Sequence, residues 1–238
     1  MTPFDYEPHT VRIRSAENHT EWFKEISLAQ KIPVIVDPHP HTTDCDDKGP
    51  LTLSESGAIL MYLGETYGYL LPTDIRLKFT TIQWVLWSST EFSVQCKLVG
   101  FYYKYCTHQL VYCTERAVNK VKRLLSILEQ QLESHKKAFV IGDCYTIADI
   151  SIFPWIHSLY HTYDDIIATK FDQFQAYPNV RKWHERCITR PASVRALDVC
   201  VFQDMPGTDE VQHLKLKEAS KEATFNTTAK LNMNTKRD

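Results

Sequence analysis

Six residues, Tyr69-Leu-Leu-Pro-Thr-Asp74, divide this chain into two stretches with different hydrophobic periods. Ahead of them, short β-branched runs alternate with short helical ones. Behind them every apolar pattern repeats at about 3.6 residues, the helical period. A chain patterned this way reads as a small α+β unit followed by an all-α unit. In the first unit, Val11-Arg-Ile13 reads as a short strand, and Asn18 to Ser27 as a helix capped by Asn18 or Thr20. The run Val34-Ile-Val-Asp37 starts directly after Pro33, where the missing N–H takes nothing from a strand ladder. Leu51-Thr-Leu53 gives the next strand, and Gly57 to Tyr67 a helix closed by Gly68. In the second unit, Ile75 to Tyr105 reads as one long aromatic-rich helix or a broken pair. Leu110 to His135 carries Val111, Val118, Val121, Leu125, Leu128 and Leu132 at helical spacing. A third helix opens at Thr146, and a fourth runs from Pro178 to Thr189. The expected division is a first domain over 1–70, a helical domain over 75–202, and a polar, mobile tail over 203–238.

Composition removes several classes of function. Lys and Arg number 27 against 29 Asp and Glu, a formal charge of −2, which gives no cationic field for nucleic acid or an anionic membrane. The opening residues have no apolar signal core, and no run of about 18 apolar residues occurs. The expectation is a soluble, cytoplasmic protein. Seven cysteines are an odd and scattered set with no C-x-x-C pair, so neither a disulfide framework nor a self-contained dithiol is expected.

Two local patterns carry chemistry. Thr146-Ile-Ala-Asp149 is a capping box with Asp in the reciprocal position, flanked by Tyr145 and Ile150 as a hydrophobic staple. Its value is for folding. The second pattern, Leu51 to Leu60, reads LTLSESGAIL and sets an acid and two hydroxyls where a strand hands over to a helix. A helix N-terminus offers unpaired N–H donors and partial positive charge, so the Ser56 hydroxyl and amide suit a ligand carboxylate. Glu55 beside it suits an ammonium, and together they match a free amino-acid head group. The same residues also fit a plain cap, with Ser54 or Ser56 as the N-cap and Glu55 favoured by the dipole.

The order and spacing of KIPVIVD, LTLSESGAILMYLGETYG, the LLP junction, GDCYTIADISIFPW and YPNVRKWHERCITRPA resemble the glutathione transferases. The resemblance runs from Phe4 to Leu197. It is closest to the bacterial nu-class and fungal nitrogen-regulator-like branch, through the long loop after KIPVIVD, QWVLW at 83–87 and YCTER at 112–116. It implies an α+β thioredoxin-like N-terminal domain followed by an all-α C-terminal domain, and a homodimer. It further implies that Glu55 and Ser56 hold the γ-glutamyl end of glutathione, while the Ile32 backbone pairs the cysteinyl peptide unit. Pro33 becomes the family's cis-proline, and Arg116 a basic residue at the site mouth. Arg116 is equally readable as a solvated helix arginine.

The sequence also departs from that family. FDYEPHTVRI aligns with the family's second strand, so the first strand and helix, with the hydroxyl or amide that stabilises the thiolate, have no counterpart here. The domain therefore reads as N-terminally incomplete, and no residue takes over the catalytic role; Tyr6 falls at a strand edge. Glutathione is the expected co-substrate, with no metal. His39, His41, Asp44, Cys45, Asp46 and Asp47 fit no tetrahedral ligand spacing. Trp84 and Trp87 read as core, whereas Tyr102 and Tyr103 suit either the core or an apolar pocket. The expected activity is glutathione conjugation to an apolar electrophile or glutathione-dependent disulfide reduction, with no C-x-x-C required. The alternatives are a catalytically inactive regulatory or binding protein on this scaffold, or an assembly module that uses its helical domain as a surface.

Overall fold

A computed structural model describes residues 6–40, 49–108, 110–135, 138–162, 170–171 and 174–199. The residues anticipated as a tail, and His41, Asp44, Cys45, Asp46 and Asp47 of the metal-ligand set, lie outside them. In chain order the elements are α1 (Glu21–Ile26), β1 (Val34–Asp37), β2 (Leu51–Ser54), α2 (Ser56–Tyr67), α3 (Ile75–Trp87) and α4 (Ser93–Gly100). There follow α5 (Val111–His135), α6 (Ile147–Thr162), α7 (Pro178–Ile188) and α8 (Pro191–Asp198). β1 and β2 form a two-stranded antiparallel sheet. The α+β start and helical remainder agree with the expected fold class.

Val11 to Ile13 is not a strand. The segment turns instead, with Ile13 N–H donating to Val11 O and Ser15 N–H to Arg12 O, each at 3.0 Å. Three residues of strand composition hold an extended shape only against a ladder partner, and none adjoins them among the described residues. The helix after it begins at Glu21 with Thr20 as N-cap, but the Thr20 hydroxyl turns back to Glu17 O instead of capping. The Asn18 amide reaches across to Gln30 O. α8 goes beyond the sequence reading. Its Pro191 sits at the first helical position, where the lost N–H has no partner to lose.

The stretch Ile75 to Tyr105 is helical throughout, with π-helical turns at Ser88–Phe92 and Phe101–Tyr105. Asp74 caps it through its carboxylate, which accepts from Arg76 and Leu77 N–H at 3.1 and 3.0 Å. The chain leaves the helical conformation at Cys106, so Cys106 and Cys113 lie on different elements. Both are free thiols. Phe92 is fully buried and Trp84 nearly so, with Trp87 stacked on Phe92 at 5.3 Å. Phe101, Tyr103 and Tyr105 are exposed.

The core lies among α3, α5, α6 and α7, where Val85, Leu125, Leu128, Ile152, Ile156 and Trp183 are fully buried. The capping box opens α6 as expected, with Thr146 Oγ1 accepting from Ala148 N–H and Asp149 Oδ2 accepting from Thr146 N–H at 2.9 Å. Tyr145 packs edge-on against Phe139 at 5.3 Å and carries the Arg190 guanidinium on its face at 3.8 Å.

Several contacts among the described residues join the α+β portion to the helices. Ile147 N–H donates to Leu70 O at 2.9 Å, Glu65 of α2 pairs with Lys78 of α3, and Gly64 lies against Leu71. A β-carbon on Gly64 stands only 2.8 Å from Leu71 Cβ, a distance real structures do not tolerate. Gly64→Ala is therefore expected to cost roughly 2 kcal/mol by forcing α2 away from the junction. Equilibrium urea unfolding checks it; an unchanged midpoint means that the junction yields freely.

Candidate functional site

The register of the two strands assembles the site. Val34 stands opposite Ser54 in the antiparallel pair, so Pro33 and Ile32 emerge beside Glu55 and the first turn of α2. The Ile32–Pro33 peptide is cis. Ile32 itself is 49% exposed. The hand-over from β2 to α2 is compressed into one residue. Glu55 takes φ 73°, a conformation that non-glycine residues adopt at a cost of order 1–3 kcal/mol. An outlier of this kind persists where surrounding structure fixes it, and such positions cluster at ligand-binding sites.

The plain-cap reading does not describe this joint. Glu55 occupies the N-cap position of α2 and makes no side-chain capping bond. Among the described residues no hydrogen bond or ion pair engages the side chains of Ser54, Glu55 or Ser56. Glu55 and Ser56 are exposed. The first N–H groups of any helix have no intrahelical partner, so an uncapped end presents them outward. The joint thus offers an anion-binding helix end, a hydroxyl and a carboxylate side by side. Tyr62, on the next turns of α2, donates to Asp37 Oδ2 at 2.5 Å and ties the end of β1 to the helix. Burial, then this hydrogen bond to Asp37, pushes the Tyr62 hydroxyl above its ordinary pKa.

Four of the five residues anticipated from sequence therefore come together: Ile32, Pro33, Glu55 and Ser56. Arg116 stands on another element. It lies exposed near the start of α5, which packs on α4 and α7, whereas α2 packs on α3 and α6. Among the described residues no cluster of three or more His, Cys, Asp or Glu has the geometry of a metal site. Sequence reasoning missed Gly57, which is buried one residue after Ser56 against α3. A glycine directly following a helix cap, where propensity disfavours it, was the available signal.

A family model described as "Glutathione S-transferase, C-terminal domain" matches residues 112–186. The chain is 34% identical over 197 residues to the disulfide-bond oxidoreductase YghU of Escherichia coli K12, covering 82% of this chain and 64% of that protein. It is 34% identical over 175 residues to the disulfide-bond oxidoreductase YfcG of the same organism, covering 74% and 75% of the two chains. Among solved structures, a glutathione transferase from Burkholderia graminis holds two glutathione molecules per subunit. It superposes with a TM-score of 0.75 at 36% identity, over 84% of this chain and 80% of that one.

Proposed function

The chain belongs to the glutathione transferase family, and on that premise we propose that it binds glutathione at the α2 N-terminus and uses its thiol to reduce disulfides. The observation that carries this reading is the uncommitted Glu55–Ser56 pair at an uncapped helix end beside Pro33. The γ-glutamyl carboxylate takes the Ser56 hydroxyl and the helix N–H groups, where partial positive charge favours it. Its ammonium takes the Glu55 carboxylate. The Ile32 backbone, next to the cis peptide, pairs with the cysteinyl unit, and Arg116 supplies positive charge near the mouth.

The chemistry needs no cysteine of the protein. A glutathione thiolate attacks one sulfur of a substrate disulfide, forming a mixed disulfide and releasing one thiol. A second glutathione thiolate then attacks the glutathione sulfur of that intermediate, releasing the other thiol and glutathione disulfide. The names of the two oxidoreductase relatives, and the two glutathione molecules in the Burkholderia graminis structure, favour this over conjugation to an electrophile. Conjugation uses the same bound thiolate and is the second reading. A homodimer through the exposed α3 face that carries Ile75, Phe79 and Leu86 fits the same scaffold.

Titration calorimetry tests the site. Ser56→Ala is expected to remove about 1–2 kcal/mol of glutathione affinity, the worth of one charge-assisted hydrogen bond. Glu55→Gln should weaken binding further while the fold persists. Unchanged affinity in both variants ends the assignment. For the reaction, wild-type protein should form glutathione disulfide from glutathione and a small disulfide faster than the uncatalysed mixture; a rate equal to that mixture removes the reductase reading.

A further inference from the structure

α2 meets the helical portion at a spacing that leaves little room for a side chain. A β-carbon on Gly57 would lie 3.2 Å from Ser89 Oγ and 3.3 Å from Val85 Cγ1. Ser89 belongs to the π-helical turn Ser88–Phe92, where each turn holds an additional residue. Neighbouring serines of this turn serve different elements. Ser88 Oγ donates to Ser151 O of α6 at 2.8 Å, while Ser89 stands under α2 with its hydroxyl donating to Val85 O at 2.9 Å. Ser93 Oγ donates to Ser89 O at 2.9 Å, and the fully buried Phe92 stacks on Trp87. The turn is thus held from α6, from α4 and from the core, and the face it presents to Gly57 is fixed.

We infer that Ser89 is a positioning residue for the head-group site, acting through Gly57 to set where Glu55, Ser56 and the first N–H groups of α2 stand. The inference rests on the glutathione reading above. Ser89 itself need not touch the ligand. Hydrogen bonds from a helix end are made at about 2.7–3.2 Å and weaken steeply when misaligned. A displacement of α2 by a few tenths of an ångström is therefore read directly as affinity. π-helical turns recur at functional sites, and this one carries both the serine that bonds to α6 and the serine that lies beneath α2.

The test is a double-mutant cycle read by glutathione calorimetry on the full chain. Gly57→Ala wedges a methyl against Ser89 Oγ and should weaken binding about tenfold, and Ser89→Ala, which empties the space under Gly57, about threefold. Independent effects would multiply to about thirtyfold in the double variant. Packing coupled across this contact instead gives a double variant within about fivefold of wild type, because the added methyl fills the space that the hydroxyl leaves. Ser89→Thr, which keeps the hydroxyl and enlarges the side chain that lies beneath Gly57, provides a second perturbation of this contact if Gly57→Ala does not fold, and should weaken binding in the same direction. Wild-type affinity in Gly57→Ala or Ser89→Thr, or a double variant no tighter than the product of the single effects, overturns the inference alone. A wild-type protein that binds no glutathione overturns the functional reading, and the inference with it.

Discussion

Asp149→Ala is expected to remove roughly 3–4 kcal/mol of folding stability, well beyond the ~1 kcal/mol of an ordinary helix cap. The Asp149 carboxylate is fully buried and accepts four hydrogen bonds. Two come from Thr146, the capping-box bond from its N–H and a further one from its hydroxyl. The other two come from afar: Val140 N–H at 3.0 Å, in the connection after α5, and the Trp183 indole N–H of α7 at 2.8 Å. Alanine leaves the Val140, Thr146 and Trp183 donors buried without a partner, and each such group costs about 1–3 kcal/mol. Part of that loss is offset, because burial holds the Asp149 carboxyl above its usual pKa against the pull of these donors. Asp149→Asn keeps one carbonyl oxygen for the donors and should fall between alanine and wild type. Guanidinium unfolding of the three proteins at pH 7 decides the matter. A loss near 1 kcal/mol for alanine would mean that Asp149 caps α6 and no more.

The same residue marks how far the sequence could be read. Thr146 and Asp149 are three positions apart, and a capping box is a local motif, so its existence was visible. The Trp183 indole is 34 residues away, and only the crossing of α6 with α7 brings it to the carboxylate. Local periodicity likewise located α5, and Pro33 marked the start of β1. It failed at Val11 to Ile13, where three residues carry no period and the outcome depends on a partner. Hydrophobic spacing was also blind to the π-helical turns in Ser88–Phe92 and Phe101–Tyr105, since one extra residue per turn leaves the composition unchanged. At the candidate site, residue types announced Glu55 and Ser56. Their meaning there was ambiguous between cap and ligand site. The positive φ of Glu55 and its lack of a capping bond, which decide against a plain cap, are properties of the backbone that no residue type encodes.

The second large effect is a loss of stability in mild acid that no carboxylate explains. His184 is 7% exposed and stacks on Tyr160 at 4.7 Å and on Phe153 at 5.5 Å. Its Nε2 lies 3.3 Å from Nδ1 of His157, and His161 stands 4.2 Å beyond His157, ring centre to ring centre. Burial, followed by the neighbouring His157 and His161, pushes the His184 pKa from 6.5 down to about 4. His157 is lowered for the same reasons, burial first and then His161. The folded chain thus resists a proton that the unfolded chain accepts. Stability from this source is fully present above pH 6.5 and drains as pH falls toward 4, at about 1.4 kcal/mol per unit. The whole window amounts to about 3 kcal/mol from His184. Carboxylates titrate in the lower part of the same range, so the measurement is a difference. Urea unfolding of wild type and His184→Phe, taken at several pH values between 7 and 4, should show the wild-type curve falling more steeply by about 3 kcal/mol over the series. Phenylalanine keeps a ring between Tyr160 and Phe153 and carries no proton. If the two curves run parallel, His184 is protonated in the folded state at an ordinary pKa, and the stack of rings around it does not exclude charge.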